Sequence, residues 1–382
     1  MDIATEPSIG QAMTFELSKK KPFHGWFWYK EGYAPEIVDY ALQKEGILGD
    51  SLVVDPFCGV GTTLLAAKAS GLQSFGVDAS QLAVFVSKTK TDDYSTEEIE
   101  GAKGFLANIF KERHEARIKW DFELFSSRAA FPKRNYNDML YLREMIEKEE
   151  GRVRNLLLLA LLSIIPLVSI IVKDGGVLKI EKKKRALPVK DAFKRRLKRM
   201  LSDLENPVKG PTPEIVLGDA RALQLQDGCA DIIVTSPPYL NNIDYSKVYG
   251  LELSLLELSK TEAEHTRARS VRSFIGRQMD VDEMPPEVGE EGFRIPIIGT
   301  YFRDMEGTMR EMHRVLKPGK AAYVIVSNSV IHQTHVLVDE VLAEIGERIG
   351  FSENRIIVGA ERIADVKPHK VKTRESIVVL RK

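Results

Sequence analysis

The chain has 382 residues, and its 55 Lys and Arg residues equal its 55 Asp and Glu residues, so the formal net charge is zero. With 43% hydrophobic residues and no internal repeat, the composition is that of a globular enzyme. It excludes disorder, collagen-like fibres and small disulfide scaffolds. The two cysteines, Cys58 and Cys229, and the lack of a secretory leader before the first motif predict a reducing, cytoplasmic location.

The first α/β pattern lies near the N-terminus. Residues 51–55 predict a strand, residues 56–63 a loop with glycines, and residues 64–70 a helix. A second predicted strand follows over residues 74–78. The pattern therefore indicates one βαβ unit of a doubly wound sheet.

The loop of this unit has the features of a cofactor site. Gly59 and Gly61 allow a ligand to approach the backbone, because glycine has no Cβ. Leu64 stands where a dinucleotide motif has its third glycine, and no Gly-Lys-Ser or Gly-Lys-Thr phosphate loop occurs. Asp78, 23 positions after Asp55, is placed to accept hydrogen bonds from ribose hydroxyls or to cap the next helix. The pattern favours a cofactor with a ribose but no pyrophosphate, the alternative being a tight structural turn.

A mostly helical region separates this unit from the rest of the sheet. Helical periodicity starts near residue 92, and a Pro/Gly-rich stretch over residues 206–213 marks a linker. We therefore assign residues 1–91 to the N-terminal cofactor-binding part, residues 92–213 to an insertion with a possible target-recognition role, and residues 214–382 to the catalytic part.

One run within this insertion, residues 156–172, is nearly all apolar. Its 17 residues are fewer than the roughly 20 that a membrane-spanning helix needs, and Ser163, Pro166 and Ser169 interrupt it. The run therefore predicts a buried helix pair and no membrane partner.

The sheet resumes after the insertion, and a helix is predicted over residues 301–316. The last two strands are close in sequence without a clear helix between them, which predicts an antiparallel pair at the sheet edge. The later predicted strands cover residues 215–219, 231–234, 321–327, 356–359 and 376–380. The fold class is α/β with a Rossmann-like sheet.

A Ser-Pro-Pro-Tyr turn, residues 236–239, directly follows one of these strands. Two prolines stiffen the backbone at the carboxyl edge, where open α/β sheets bind ligands. The hydroxyl of Ser236 and the carbonyl of Ser236 or Pro237 become rigid acceptors beside the flat ring of Tyr239. This turn suits a planar base whose ring stacks on Tyr239 and whose exocyclic amine, held by the acceptors, attacks an activated methyl group. A merely rigid turn is the alternative.

These motifs resemble those of the DNA amino-methyltransferases. Residues 55–63, Asp-Pro-Phe-Cys-Gly-Val-Gly-Thr-Thr, resemble the S-adenosylmethionine-binding motif of that family, and residues 235–239 its catalytic motif. Residues 22–30 look like the family's N-terminal cofactor-contacting segment. The resemblance covers residues 20–90 and 213–382. It implies a Rossmann-like S-adenosylmethionine-dependent methyltransferase sheet with an antiparallel edge strand.

The resemblance also implies roles for individual residues. The catalytic residues would be Ser236, Pro237, Pro238 and Tyr239. A serine before the two prolines is typical of the family's cytosine-N4 enzymes, so Ser236 favours cytosine N4 over the alternative, adenine N6. Double-stranded DNA would be the substrate, and a cognate restriction endonuclease is a candidate partner. The implied cofactor-binding residues are His24, Trp26, Tyr29, Asp55, Pro56, Phe57, Gly59, Gly61, Thr62, Asp78, Asp219, Ala220 and Thr235.

The charge distribution supports a nucleic-acid substrate. Residues 173–199 hold 12 basic and three acidic residues, a local net charge of +9 in a neutral chain. Such a surface would contact phosphates, although a solvated helix face is the alternative. A second arginine cluster follows the Ser-Pro-Pro-Tyr turn. The predicted DNA-binding residues are Lys182, Lys183, Lys184, Arg185, Arg195, Arg196, Arg267, Arg269 and Arg272.

Other chemistries fit the sequence less well. Cytosine-C5 methylation needs a cysteine nucleophile, usually after a proline, and the chain has no Pro-Cys pair. The seven histidines are scattered without metal-ligand spacing, so no metal is predicted. An RNA base methyltransferase is an alternative, because Asp-Pro-Phe-Cys-Gly also resembles the cofactor loop of some tRNA guanine methyltransferases. A non-enzymatic DNA-binding module is the third hypothesis.

Overall fold

The structure, a computed structural model, describes residues 2–111, 115–117, 127–174, 177–241, 248–256, 270–273, 284–366 and 369–382. Its strands are β1 (Asp2–Thr5), β2 (Leu52–Asp55), β3 (Gln73–Asp78), β4 (Ile171–Asp174), β5 (Val177–Ile180), β6 (Glu214–Leu217), β7 (Ala230–Thr235), β8 (Leu316–Ser327), β9 (Ser329–Ile331), β10 (Thr334–Val336), β11 (Glu353–Val366) and β12 (His369–Arg381). Eight of them form one sheet in the order β1-β11-β12-β8-β7-β2-β3-β6.

The half of the sheet from β6 to β8 is parallel throughout and confirms the predicted doubly wound pattern. The chain starts this half at β2, proceeds outward through β3 to β6, and then returns to β7 on the other side of β2. The direction of winding therefore reverses between β2 and β7. In such sheets a crevice opens at this point, outside the carboxyl ends of the two strands.

The other half contains the predicted antiparallel pairing. Strand β12 is antiparallel to both of its neighbours, β8 and β11. The pair is not outermost, because β1 adds to β11 in parallel and forms the edge. The sequence reading did not include β1, whose four residues are too few to show an alternating pattern.

Helices cover both faces of the sheet, and successive strand residues point to opposite faces. The helices are α1 (Pro35–Lys44), α2 (Thr62–Ala69), α3 (Gln81–Thr91), α4 (Thr96–Asn108), α5 (Lys133–Ile146), α6 (Gly151–Val168), α7 (Val189–Asp203), α8 (Gly250–Leu255), α9 (Gly289–Arg294), α10 (Pro296–Val315) and α11 (Val338–Ile349). Val54 and Ile233 pack with α10 and α11 on one face, while Val53 and Ile232 pack with α1 on the other.

Helices α4 to α7 form the expected mostly helical region, which also contains the hairpin of β4 and β5. The apolar run forms the single helix α6 and then enters β4, so the predicted helix pair was wrong. Pro166 lies in the last turn of α6, where its missing N–H removes at most one helical hydrogen bond. By length and composition α6 is the one described helix that could cross a membrane, and 61% of it is buried within the protein.

The helical region shares its core with the N-terminal segment. Side chains of α4 to α7 pack in one cluster with Phe23, Trp26 and Phe27, and with Leu82 and Val86 of α3. The division of the chain at residues 91 and 213 stays a prediction. The shared core nevertheless shows that the helical region packs against the glycine loop and the N-terminal segment, and that its connection to them is not only through the chain.

Candidate active site

A cavity of about 560 Å³ opens at the carboxyl edge of the sheet, where β2 and β7 lie side by side. The glycine loop after β2 and the Ser-Pro-Pro-Tyr turn after β7 form two of its walls. The structure thus brings together two motifs about 175 residues apart, as the carboxyl-edge rule predicts. The predicted site residues that line the cavity are Tyr29, Pro56, Phe57, Gly59, Thr62, Asp78, Ala220, Ser236, Pro237, Pro238 and Tyr239.

Asp55 and Thr235, the last residues of β2 and β7, lie beneath the cavity and do not line it. The Thr235 hydroxyl donates to Oδ1 of Asp55 at 2.6 Å, and the backbone N–H of Phe57 donates to the same oxygen at 3.1 Å. Burial raises the pKa of Asp55 to about 6, although these hydrogen bonds oppose the shift. Asp55 therefore joins, by hydrogen bonds, the start of the glycine loop to the start of the Ser-Pro-Pro-Tyr turn.

Tyr33 extends this buried network towards the cavity. Its hydroxyl lies 3.3 Å from Oδ2 of Asp55 and contacts the hydroxyl of Thr63. Burial, followed by the charge of Asp55, raises the pKa of Tyr33 well above its usual value. Tyr33 also lines the cavity, so a neutral phenol connects the N-terminal segment to the glycine loop. The sequence reading missed this residue, since a single tyrosine outside a motif carries no recognisable signal.

The glycine loop depends on two left-handed backbone positions. Gly59 and Gly61 have φ angles of +50° and +78°, which side-chain-bearing residues rarely adopt. A Cβ on Gly61 would also collide with Ser87 of α3. Gly61 precedes the first residue of α2, so this glycine permits both the turn into α2 and the close packing of α2 against α3.

Asp78 holds the loop from the neighbouring strand. Its Oδ2 accepts the backbone N–H of Gly59 at 2.9 Å, and its Oδ1 accepts the backbone N–H of Ser80 at 2.8 Å. Burial raises the pKa of Asp78 to about 6, against the effect of these two bonds. The side chain of Ser80, not that of Asp78, accepts the N–H of Ala83 and caps α3. Each oxygen of Asp78 therefore has a further lone pair that can accept a hydrogen bond, and Asp78 lines the cavity.

A buried lysine supports the same loop from behind. Nζ of Lys90, which is almost fully buried, donates to the carbonyl of Val60 at 2.7 Å. Burial lowers the pKa of Lys90 to about 7. The sequence reading missed Lys90, because a single lysine in a helix is ordinarily a surface residue.

The N-terminal segment divides into two parts with different surroundings. Tyr29 lines the cavity, whereas His24 and Trp26 are buried and do not. Nε1 of Trp26 donates to Asp203 at the end of α7 at 2.7 Å. Burial, with Lys90 and Lys21 nearby, lowers the pKa of His24 well below its usual value. The structure thus places these two side chains in the joint to the helical region, and their contact with a cofactor stays a prediction.

Residues far apart in sequence complete the cavity wall beside Tyr29. Its ring stacks on Tyr249 with centroids 5.1 Å apart, and the Tyr249 hydroxyl donates to Glu31 at 2.6 Å. Nζ of Lys173, from β4, lies 3.6 Å from the centroid of the Tyr249 ring and pairs with Glu252 at 2.9 Å. Burial raises the pKa of Glu31, and the Tyr249 hydrogen bond opposes that shift. Tyr249 and the residues around it, Glu31, Lys173 and Glu252, belong to no motif that the sequence shows.

Asp219 and Ala220, at the opposite wall, are adjacent in sequence but have different surroundings. Ala220 lines the cavity, while Asp219 does not and pairs in a forked arrangement with Arg221. Arg221 also donates to Asp304 at 2.8 Å, and Asp304 accepts the backbone N–H of Arg272 at 3.0 Å. Arg272 is thereby fixed beside cavity-lining residues 270, 271 and 273.

The predicted DNA-binding residues also divide into exposed and inward-facing side chains. Lys184 donates to the carbonyls of Pro166 and Ile171, and Arg196 donates to that of Gly25. Burial lowers the pKa of both cations. Lys182, Lys183, Arg185 and Arg195 are exposed, whereas Arg267 and Arg269 lie outside the described residues. In the part of the chain that the structure describes, no three His, Cys, Asp or Glu side chains are placed to hold a metal ion.

The strand order, the glycine loop and the acidic residue at the end of the next strand define a Rossmann-like fold of the kind that binds S-adenosylmethionine. A solved structure of an S-adenosylmethionine-dependent methyltransferase from Methanosarcina mazei is similar at 10% identity over 90% of this chain and 97% of that one, with a TM-score of 0.31. Because that score is below 0.5, the fold class rests on the strand order itself.

Similar sequences are found among curated methyltransferases. The chain is 25% identical to Type II methyltransferase M.BsoBI of Geobacillus stearothermophilus, over 94% of this chain and 84% of the relative. It is also 25% identical to Type II methyltransferase M.AvaI of Nostoc sp., over 91% and 82% of the two chains. No protein-family model matches the sequence. Both relatives are named as methyltransferases, and this similarity supports the resemblance to DNA methyltransferases that the two motifs predict.

Proposed function

We propose that the protein transfers a methyl group from S-adenosylmethionine to the exocyclic N4 amine of cytosine in double-stranded DNA. The observation that carries this proposal is the shared cavity, into which the glycine loop with Asp78 and the Ser-Pro-Pro-Tyr turn both face. The names of the relatives M.BsoBI and M.AvaI support methyl transfer. The resemblance of the two motifs to those of the DNA amino-methyltransferases supports DNA as the substrate.

The cofactor side of the cavity fits S-adenosylmethionine. Asp78 offers carboxylate lone pairs suited to ribose hydroxyls, and Gly59 has no side chain to obstruct a ligand. The volume of about 560 Å³ is in the usual range for a small-molecule site. Phe57, Thr62 and Ala220 would complete the cofactor contacts. When bound, S-adenosylmethionine would supply a methyl group on a positively charged sulfur: the amine nitrogen would bond to the methyl carbon, the carbon–sulfur bond would break to release the neutral thioether S-adenosylhomocysteine, and the amine would lose one proton to solvent.

The turn over residues 236–239 would hold the base. The ring of Tyr239 provides a stacking surface, and the Ser236 hydroxyl and Pro237 carbonyl provide acceptors for the two hydrogens of an amine. These acceptors draw the nitrogen lone pair out of conjugation with the ring, which makes the amine a better nucleophile. Because a base in a duplex cannot reach this cavity, the target would be flipped out of the stack.

The choice of cytosine N4 is supported by Ser236, the residue type typical of cytosine enzymes at this position. The exposed side chains of Lys182, Lys183, Arg185 and Arg195 support contacts with the phosphate backbone. Adenine N6 is the alternative target. A cognate restriction endonuclease and a cytoplasmic location are further predictions of this proposal.

The test is to identify modified bases in DNA from cells that express the chain, by mass spectrometry and sequencing. We expect N4-methylcytosine at one short sequence, and we expect its loss in a Ser236→Ala, Tyr239→Ala variant. Tyr239→Phe is the matched control, because it keeps the stacking ring. We expect it to retain activity, whereas Tyr239→Ala should lose about 10- to 100-fold.

Each other outcome has a definite meaning. N6-methyladenine would overturn the choice of cytosine and leave the class of reaction intact. Unmodified DNA, with purified protein inactive on duplexes as well, would overturn the DNA proposal. Full activity in the double variant would show that the turn over residues 236–239 does not hold the base.

A further inference from the structure

Strands β11 and β12, next to the sheet edge, extend beyond the end of the neighbouring strand β8. Strand β12 pairs with β8 from Arg381 only as far as Glu375, which lies opposite Ser327. Strands β11 and β12 continue beyond this point through six more residue pairs, from Glu361 opposite Arg374 to Val366 opposite His369. At about 3.3 Å per residue this extension is about 20 Å long. We call these residues, 361–366 and 369–374, the hairpin arm.

The hairpin arm starts at the edge of the candidate active site. Strand β8 is parallel to β7, so its last residue, Ser327, lies at the same carboxyl edge as the Ser-Pro-Pro-Tyr turn. Arg362 and Thr373 of the arm line the cavity, together with Glu375 at its base. Arg362 and the buried Glu375 form an ion pair at 2.9 Å. The arm therefore extends outward from the cavity mouth.

The arm is basic as well as exposed. The residues of the arm include four Lys and Arg residues against two acidic residues, in a chain whose net charge is zero. Lys370 is exposed, and the side chain of Lys372 is 70% exposed. Lys372 pairs with Glu361, but an exposed pair of this kind contributes little and is readily exchanged for a phosphate. The arm thus offers cations to an anionic partner beside the cavity.

We propose that the hairpin arm enters the major groove of the DNA duplex beside the flipped base and contacts its phosphates through Lys370 and Lys372. The major groove of B-DNA is about 12 Å wide and admits a two-stranded β-ribbon. Basic side chains along such a ribbon lie between two rows of phosphates. This inference rests on the proposed function, because it takes double-stranded DNA as the substrate.

The test compares Lys370→Gln, Lys372→Gln with a matched variant, Lys44→Gln, Lys209→Gln. The control lysines are exposed and lie at the amino ends of β2 and β6, on the opposite edge of the sheet. The probe is a short duplex carrying the sequence that the wild type methylates, with its single strand as a second probe. Affinity is measured at several salt concentrations, alongside thermal unfolding and affinity for S-adenosylmethionine.

We expect the arm variant to bind the duplex about 10-fold more weakly, with the slope of log affinity against log salt reduced by about 2. Its KM for DNA should rise while kcat at saturating DNA stays unchanged. Cofactor affinity, unfolding temperature and the control variant should match the wild type. The loss should be smaller on the single strand, which has no groove.

Duplex affinity and salt slope equal to those of the wild type would overturn the inference and leave the proposed function standing, provided that the wild type methylates DNA. An equal loss on both probes would overturn the groove placement. A wild type that neither binds nor methylates DNA would overturn the proposed function, and the arm inference with it.

Discussion

The two sides of the cavity are built from different kinds of sequence. The side that we assign to the cofactor comes mainly from one continuous stretch, residues 55–80, in which a strand, a glycine loop, a helix and a second strand follow one another, with Ala220 added from beyond β6. The opposite side combines the turn over residues 236–239 with Tyr249 and the base of the hairpin arm, and Tyr29 lies between the two sides, against Gly59 and Tyr249. A local motif can be selected for one ligand as a unit, whereas the composite wall depends on how distant elements pack.

This comparison predicts that damage to the cofactor side is severe and specific to cofactor binding. The largest effect is expected for Gly61→Ala, because the new Cβ would be forced into a left-handed backbone and against Ser87. We expect a loss of about 3 kcal/mol or more in the free energy of unfolding, together with loss of cofactor binding. Urea unfolding and calorimetric titration measure the two quantities.

Gly71→Ala is the matched control, since Gly71 has a similar φ of +73° but nothing within 4 Å of its missing Cβ. That variant should lose only about 1 kcal/mol and bind the cofactor normally. Equal losses in the two variants would show that backbone strain alone matters and that the contact with α3 does not.

Asp78→Asn is expected to weaken S-adenosylmethionine binding about 10- to 100-fold, because a neutral amide holds ribose hydroxyls less strongly than a carboxylate does. The pKa of Asp78 is raised to about 6, so the carboxylate gains its proton as the pH falls through 6. Cofactor affinity of the wild type should therefore fall below that pH, and the variant should lose the part of this dependence that Asp78 causes, keeping only the part from Asp55, whose pKa is also raised to about 6. Asp50→Asn, at an exposed position, should behave as the wild type does.

Lys90 predicts a pH dependence of the stability of the protein. Its folded pKa of about 7 is below that of an unfolded lysine, so the unfolded chain binds more protons between about pH 7 and 10. Stability should rise with pH across that window, by about 2 kcal/mol between pH 7 and 9 from this group alone. Lys90→Met should remove this increment in urea unfolding curves. Parallel pH profiles for both proteins would contradict the assignment.

The smallest effect is expected on the composite wall. Tyr249→Phe removes the hydroxyl that donates to Glu31, and should cost about 1 kcal/mol in unfolding free energy. Because Glu31 lines the cavity beside Tyr29, we expect a raised KM for DNA with cofactor affinity unchanged. Tyr94→Phe, which removes a hydrogen bond to the carbonyl of Thr89 outside the cavity, is the control. A weakened cofactor affinity in Tyr249→Phe alone would place this wall on the cofactor side.

Elements with a regular pattern were predictable from the sequence, although not all were recognised. The strands of the parallel half carry short β-rich runs, and each observed strand overlaps its predicted range. Helix α11 was missed despite the helical spacing of Val338, Leu342 and Ile345, which are buried on its inner face. Strand β1 had no such signal, because its pairing with β11 is a long-range contact.

The sequence by itself determined the local patterns on which the proposed chemistry depends: the conformations of the glycine loop, of Asp78 and of the Ser-Pro-Pro-Tyr turn depend mainly on the residues of each pattern. The tertiary structure alone decided which neighbouring side chains face the cavity and which face the core. Tyr29 lines the cavity while Trp26 bonds Asp203, and Lys182 is exposed while Lys184 binds backbone carbonyls. The physical reason is that burial and partners are set by elements distant in sequence, which no local pattern records.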